Sequence, residues 1–291
     1  MMMSFQERAG VLRHAAGARA ALVAAGFMVT STMLAGELPA QHDYYNTDAG
    51  RPLNTEDAVA IEYRGFELQA APIRLERGSG GRYQWGLEPE LAYGILPRTQ
   101  LEVGVPIAFL ESATSTITSS GIAGVHVSLL HQLNVESRTL PAFALSAGAL
   151  LPVGVLAPDD TYASLKGMVT RTFSWGRVHA NAERTFGPSL DAALDGPAGP
   201  EAGELAQWTL GAAVDHTFPM RATLVGAELF AEQPMALDEP VRWTAGFGAR
   251  HQLDVRWAVD GGISRRLTGD DRSWSVTLGA AYAFGIPRFR Y

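Results

Sequence analysis

His126-Val127-Ser128 sets an imidazole and a hydroxyl two residues apart, the spacing that puts both on one face of an extended chain. A histidine beside a serine can take its proton and make the hydroxyl a nucleophile for acyl transfer. That chemistry requires access for a substrate. Leu129 and Leu130 follow directly, and the alternation of this stretch turns His126 and Ser128 away from any lipid-facing side. No catalytic residue is therefore assigned. Metal chemistry is no better served. The seven histidines are scattered at positions 14, 42, 126, 131, 179, 216 and 251, and the chain has no cysteine. His126 and His131 stand five apart, so on one strand they face opposite sides. No glycine-rich loop is followed by Lys and Ser/Thr to cradle a phosphate. Neither a metal nor a cofactor is expected.

What remains is a set of ionisable side chains that fall opposite large apolar ones. Glu62, Arg64, Glu88, Glu90 and Glu102 come from the first third of the chain. His126, Lys166, His179, Glu183 and Asp215 come from the middle. Glu228, Arg242, Arg250, Arg256 and Asp260 come from the last third. If the apolar side meets lipid, this set lines a polar lumen, where charges select solutes or pair with one another to fill it.

The elements that carry these residues have a period of two. Trp274, Val276, Leu278, Ala280, Tyr282 and Phe284 share one face, and Ser273, Ser275, Thr277, Gly279, Ala281 and Ala283 the other. Leu101, Val103, Val105, Ile107 and Phe109 repeat the pattern. The same reading places strands near 59–70, 82–95, 99–110, 121–133, 140–151 and 162–174. Six more follow near 177–187, 205–218, 221–231, 241–252, 255–266 and 273–285. Gly65 breaks the register of the first as a bulge would. The connections alternate long and short. Pro97-Arg98, Trp175-Gly176, Pro219-Met220 and Leu253-Asp254 are among the short ones, while 71–81, 111–120, 188–204 and 232–240 are among the long ones. A water-soluble sandwich has no reason to sort its loops so, whereas an up-and-down barrel in an outer membrane has tight periplasmic turns and longer outer loops.

Aromatic placement gives an independent indication. Trp85, Trp208, Trp243 and Trp274, with Phe109 and Phe230, fall at the long-loop ends of their strands. Tyr93, Phe173, Trp175, Phe218, Trp257, Tyr282 and Phe284 fall at the short-turn ends. Two belts result, as expected where amphipathic rings sit among lipid headgroups. Charged residues are only 18% of the chain and mean hydropathy is +0.02, a balance suited to strands with one apolar and one polar face. The formal net charge of −7 disfavours nucleic acid as a partner, because phosphate binding needs a basic surface. At the N-terminus, Arg8, Arg13 and Arg19 precede an apolar run, Ala20 to Val29, and then small residues. This reads as a signal peptide over 1–40, cleaved between 35 and 40. Residues 41–58 are polar and read either as a periplasmic segment or as a small hatch within the barrel, with 59–285 the barrel and 286–291 a tail.

Three resemblances add to this. Gly279-x-x-Tyr282-x-Phe284 resembles the C-terminal insertion signal of outer-membrane proteins, which implies the barrel assembly machinery as a partner during insertion. His42-Asp43-Tyr44-Tyr45 through Gly50-Arg51-Pro52, Glu56-Asp57-Ala58, Glu88-Pro89-Glu90-Leu91-Ala92-Tyr93-Gly94 and Pro97 to Pro106 resemble the outer-membrane transporters named for the meta-pathway of phenol degradation. That resemblance implies movement of small solutes, aromatic ones among them. His126-x-Ser128 also matches the pair used by twelve-stranded outer-membrane phospholipases, but the glycine and asparagine that follow the serine there are missing.

The sequence therefore predicts an all-β, transmembrane, antiparallel up-and-down barrel of about twelve strands in the bacterial outer membrane, with lipid as its surroundings. A channel for small solutes is the leading expectation. A closed-lumen structural or adhesion barrel is the alternative, and an outer-membrane hydrolase comes third.

Overall fold

Alternation of apolar and small or polar residues produces strands, and strands in lipid must pair on both edges because hydrocarbon offers no hydrogen bonds. The computed structural model describes Thr47 and residues 51–77, 83–111, 118–188, 205–235, 239–268 and 272–285. All of these but Gly285 belong to one compact unit, Pro39–Phe284. The expected signal peptide and C-terminal tail lie outside the described residues, as do the tips of most long loops.

Twelve antiparallel strands run in sequence order round a closed barrel. They are β1 (Gly65–Arg77), β2 (Tyr83–Leu87 and Glu90–Leu96), β3 (Thr99–Gly104 and Ile107–Glu111), β4 (Thr118–Ile122 and Val125–Asn134), β5 (Ala142–Leu151) and β6 (Tyr162–Phe173). β7 (Gly176–Phe186), β8 (Ala206–Phe218), β9 (Thr223–Pro234), β10 (Arg242–Gln252), β11 (Trp257–Arg266) and β12 (Trp274–Gly285) follow. Each pairs with its sequence neighbours, and β12 pairs with β1 to close the sheet. β5 to β12 are 10 to 13 residues long. A tilted strand needs roughly 9–11 to cross a bilayer.

Three neighbouring strands are interrupted where the sequence denies them a regular ladder. Pro89 and Pro106 cannot donate, and Gly124 has φ 137°. Val105 N–H to the Pro89 carbonyl (3.0 Å) and Ala123 N–H to the Pro106 carbonyl (2.9 Å) carry the pairing across the breaks.

The outward face is apolar. Leu129, Leu145, Leu165, Leu210, Phe247 and Leu278 are all exposed on it. Rings gather at its two ends. Near the long loops Trp85 stacks on Phe109 with centroids 3.8 Å apart. At the short-turn end a continuous stack runs from Tyr93 to Phe66, Phe284, Tyr282 and Trp257. The Phe66–Phe284 contact, 5.2 Å between centroids, bridges the seam between the first and last strands. Such an exterior, with a girdle at each rim, is that of a transmembrane barrel of the outer-membrane type.

Two expectations need correction. The first strand begins at Gly65, not at Val59, and continues to Arg77 through what was read as a long loop. A turn at 62–65 decides this: Gly65 N–H bonds the Glu62 carbonyl (2.9 Å) and Arg64 N–H bonds the Gly94 carbonyl (2.7 Å). A Cβ at Gly94 would lie 2.0 Å from the Glu62 oxygen, so only glycine permits that crossing. Val59 and Ile61, which alternate like strand residues, belong instead to chain outside the ladder. The second correction is Phe230. It lines the internal cavity and opposes Gly211 and Thr244 on the lumen face, so it is no part of the outer belt.

Candidate functional site: a lumen crossed by its own N-terminal segment

The inward faces are dense with polar groups, and residues 51–61 lie among them. This segment belongs to no strand. Its backbone donors must still be met, since buried amides without partners are costly. Lumen side chains meet them in turn. Ile61 N–H donates to Gln100 Oε1 of β3 (2.7 Å) and Ala58 N–H to Thr170 Oγ1 of β6 (2.9 Å). Glu56 N–H donates to Asn181 Oδ1 of β7 (2.6 Å), and Asn181 Nδ2 returns a bond to the Glu56 carbonyl (2.9 Å). Asn54 and Thr55 bind Glu228 of β9 with both backbone N–H groups and both side chains, four bonds of 2.8 to 2.9 Å on one carboxylate.

Charges fix the segment further. Arg51 reaches Asp260 of β11 (3.3 Å) and also bonds Gln69 of β1. Glu56 accepts from Lys166 Nζ at 2.8 Å, and Glu183 stands 3.6 Å from the same ammonium. Asp57 faces Arg177 at 3.4 Å and accepts from Thr47 N–H at 3.3 Å. Arg177 is in turn held by Asp215 through bonds of 2.7 and 3.0 Å. His179 Nε2 donates to Asp215 at 2.8 Å, so a neutral ring accepts at Nδ1 from the Thr170 hydroxyl, 2.9 Å away.

Missing side chains on the barrel make room for the segment. A Cβ at Gly262 would sit 2.4 Å from the Pro52 carbonyl, and one at Gly248 would sit 2.6 Å from Pro52 Cβ. Gly211 faces Thr55 Oγ1 at 2.5 Å and Gly226 faces Leu53 Cδ1 at 2.9 Å on the same test. Four inward glycines on β8 to β11 thus form the bed in which residues 52–55 lie. Below the segment, Ala58 packs with Leu130, Ala142, Ala144 and Met168 in a small apolar cluster.

Above it is a cavity of about 400 Å³. Pro52, Leu53, Asn54 and Glu56 form its floor, and side chains from β1 to β12 form its wall. Eight glutamates line it (56, 76, 88, 90, 102, 183, 228 and 232) against Arg74, Lys166 and Arg266. Its potential is therefore negative.

The expected lumen residues divide into three groups. Glu88, Glu90, Glu102, His126, Lys166, Glu183 and Glu228 come together round the cavity. His179, Asp215, Arg250 and Asp260 are buried in the lumen wall, with Arg250 3.4 Å from Glu67, while Arg242 lies 3.7 Å from Glu232 of the cavity lining. Glu62, Arg64 and Arg256 are not brought to the cavity. Glu62 and Arg64 occupy the turn before β1, and Arg256 precedes β11. Turns end the inward phase, which is why strand parity misplaces them.

Sequence reading missed Gln100, Thr170, Arg177 and Asn181, although each shares the inward parity of a residue that was chosen. Arg74 and Glu76 were missed because they were assigned to a loop. The His126-x-Ser128 pair does not form a catalytic contact, because Ser128 donates to Glu102 at 2.6 Å.

No protein-family model matches the chain, and no curated protein matches it in sequence. A solved structure does share its fold, and others are similar to it more loosely. The COG4313 outer membrane channel from Pseudomonas putida F1 superposes with a TM-score of 0.56 at 12% identity, covering 78% of this chain and 98% of that one. The KdgM porin gives 0.49 at 14% identity, covering 75% and 99%, and the CymD monoaromatic hydrocarbon channel gives 0.43 at 9% identity, covering 77% and 89%. An identity of 12% speaks to architecture alone, and the architecture shared with the COG4313 channel is that of an outer-membrane β-barrel.

Proposed function

We propose that the protein is an outer-membrane channel for small polar solutes, closed in this state by residues 51–61 acting as a hatch. One observation carries the reading. The segment that fills the lumen is attached through side-chain contacts and belongs to no strand, so it can leave without breaking the barrel's own ladder. The cavity above it is open in volume, polar in lining and negatively charged, which favours cations over anions in passage. Aromatic solutes fit the lining less well, since Phe230 is the one aromatic side chain among its described residues. Export by residues 1–40 and insertion by the barrel assembly machinery belong to the same reading, supported by the sequence features at the two ends.

Hydrolase activity is not part of it, because Ser128 is engaged by a carboxylate inside the lumen. A permanently filled, structural barrel is the second reading, favoured by the number of bonds that hold the segment. Single-channel recording in a planar bilayer separates the two. Discrete steps with a cation-selective reversal potential in a salt gradient are expected. Folded, heat-modifiable protein that never conducts, with or without residues 51–61, would establish the filled barrel.

A further inference from the structure

One wall of the cavity carries a carboxyl group that no described neighbour answers. Glu90 is 7% exposed, and its Oε1 is buried without a hydrogen-bond partner among the described residues. A buried carboxylate without a partner is costly, and such groups are uncommon in folded proteins. Glu88 and Glu102 line the same cavity, but Glu102 is already satisfied by Ser128 at 2.6 Å and by Gln100. The cations nearby are committed: Lys166 to Glu56 and Glu183, Arg51 to Asp260.

Space has been left beside this carboxylate. Glu90 opposes Gly104, and Gly104 opposes His126 on the next strand. A Cβ at Gly104 would lie 3.7 Å from both Glu90 Oε2 and His126 Cβ. Beyond His126, Gly148 makes room for the imidazole itself, since a Cβ there would lie 3.1 Å from His126 Nε2 and 3.0 Å from Ser164 Oγ. Gly104 therefore leaves a notch between Glu90 and His126 at the level of Glu90. Among the described residues, no group of three His, Cys, Asp or Glu is placed to hold a metal ion. The notch suits an organic cation better.

We propose that this notch is a binding subsite for the primary ammonium group of a solute, with Glu90 as its anionic acceptor and Glu88 and His126 at its sides. An ammonium brings three N–H donors on a compact charge. Glu90 Oε2, which faces the bare Cα of Gly104, is an acceptor of the matching kind. The inference rests on the channel reading and narrows its solute to small amines, for which the acidic cavity is the antechamber.

Calorimetry on the full chain in detergent tests it, with 4-aminobutan-1-ol as probe and butane-1,4-diol and magnesium chloride as comparators. The amine is expected to bind the natural protein and to bind Glu90→Gln at least about tenfold more weakly, the loss of one charge-assisted hydrogen bond. The diol is expected not to bind. Gly104→Val, which fills the notch with Glu90 intact, is expected to abolish amine binding and serves if Glu90→Gln does not fold. Equal affinity in the natural protein and either folded variant, or equal binding of the diol, overturns the proposal. Magnesium binding without amine binding overturns it too. Binding is read apart from conduction. A silent bilayer with Glu90-dependent binding removes the channel reading alone, and a conducting protein that ignores the amine removes the subsite alone.

Discussion

Glu228→Gln should unlatch the hatch. In the closed lumen the Glu228 carboxylate accepts four hydrogen bonds from Asn54 and Thr55, two of them from backbone N–H groups. Hydrogen bonds to a charged group contribute about 1.5–3 kcal/mol each, and a buried donor left unmet costs about 1–3 kcal/mol. The amide keeps one oxygen for two of the four donors. Its NH2 turns donors toward the Thr55 or Asn54 groups that need an acceptor. Some relaxation will offset the loss, so a net weakening of about 3 kcal/mol is a reasonable central value, on the order of a hundredfold in the closed-to-open ratio. Glutamine is nearly isosteric, and the β8–β9–β10 ladder does not involve the side chain, so the barrel should stay folded and heat-modifiable. The assay is the open fraction in single-channel records at fixed voltage, beside the natural protein. Thr55→Ala and the double variant complete a cycle, whose coupling should exceed about 0.5 kcal/mol if the two residues act through one another. An open fraction in folded Glu228→Gln within about threefold of the natural value would refute the reasoning that this carboxylate latches the segment.

Other perturbations test neighbouring parts of the argument. Gly248→Val places a side chain where Pro52 lies and meets Pro52 before any barrel group, so it should cost the closed state about 1–3 kcal/mol and raise the open fraction without lowering barrel stability; unchanged gating in the folded variant would contradict the glycine bed. Phe66→Ala removes the ring that joins Phe284 across the closure seam and should lower the temperature of heat modification, with about 0.5–1.5 kcal/mol lost beyond burial; an unchanged transition would show the seam is held by its ladder alone. Phe230→Ala enlarges the cavity and should raise unitary conductance, since the ring faces the lumen; a change in detergent or lipid stability with constant conductance would instead return it to the outer belt. Ser128→Ala should leave phospholipid hydrolysis at the level of an empty vesicle control, and any serine-dependent release of fatty acid would reopen the hydrolase reading.

Much of the fold was legible in the sequence because lipid imposes a local code. The large side chains between Trp274 and Phe284 declare their side by their own type, and the pairing of Phe247 with Ile263 follows once the short turn between β10 and β11 sets the register. The same code put Glu90, Glu102, Lys166 and Glu228 in the lumen. It failed where parity loses meaning: at Glu62 and Arg64 in a turn, and at Arg74 and Glu76, whose strand was taken for a loop. It failed for Phe230 too, where a large apolar ring faces inward against the glycine at 211.

What the sequence by itself determined, then, is the barrel: its count of strands, its apolar exterior and the polar lining within. What only the tertiary structure decided is the use made of the lumen. Arg51 and Asp260 are 209 residues apart, and Asn54 and Glu228 are 174 apart. No period or spacing joins such residues. Strand faces are chosen by one-body preferences for lipid or water, which each side chain expresses alone. The latch, the glycine bed and the unmet carboxylate of Glu90 depend on pairs, and a pair exists only once the closed sheet has brought distant strands round one axis.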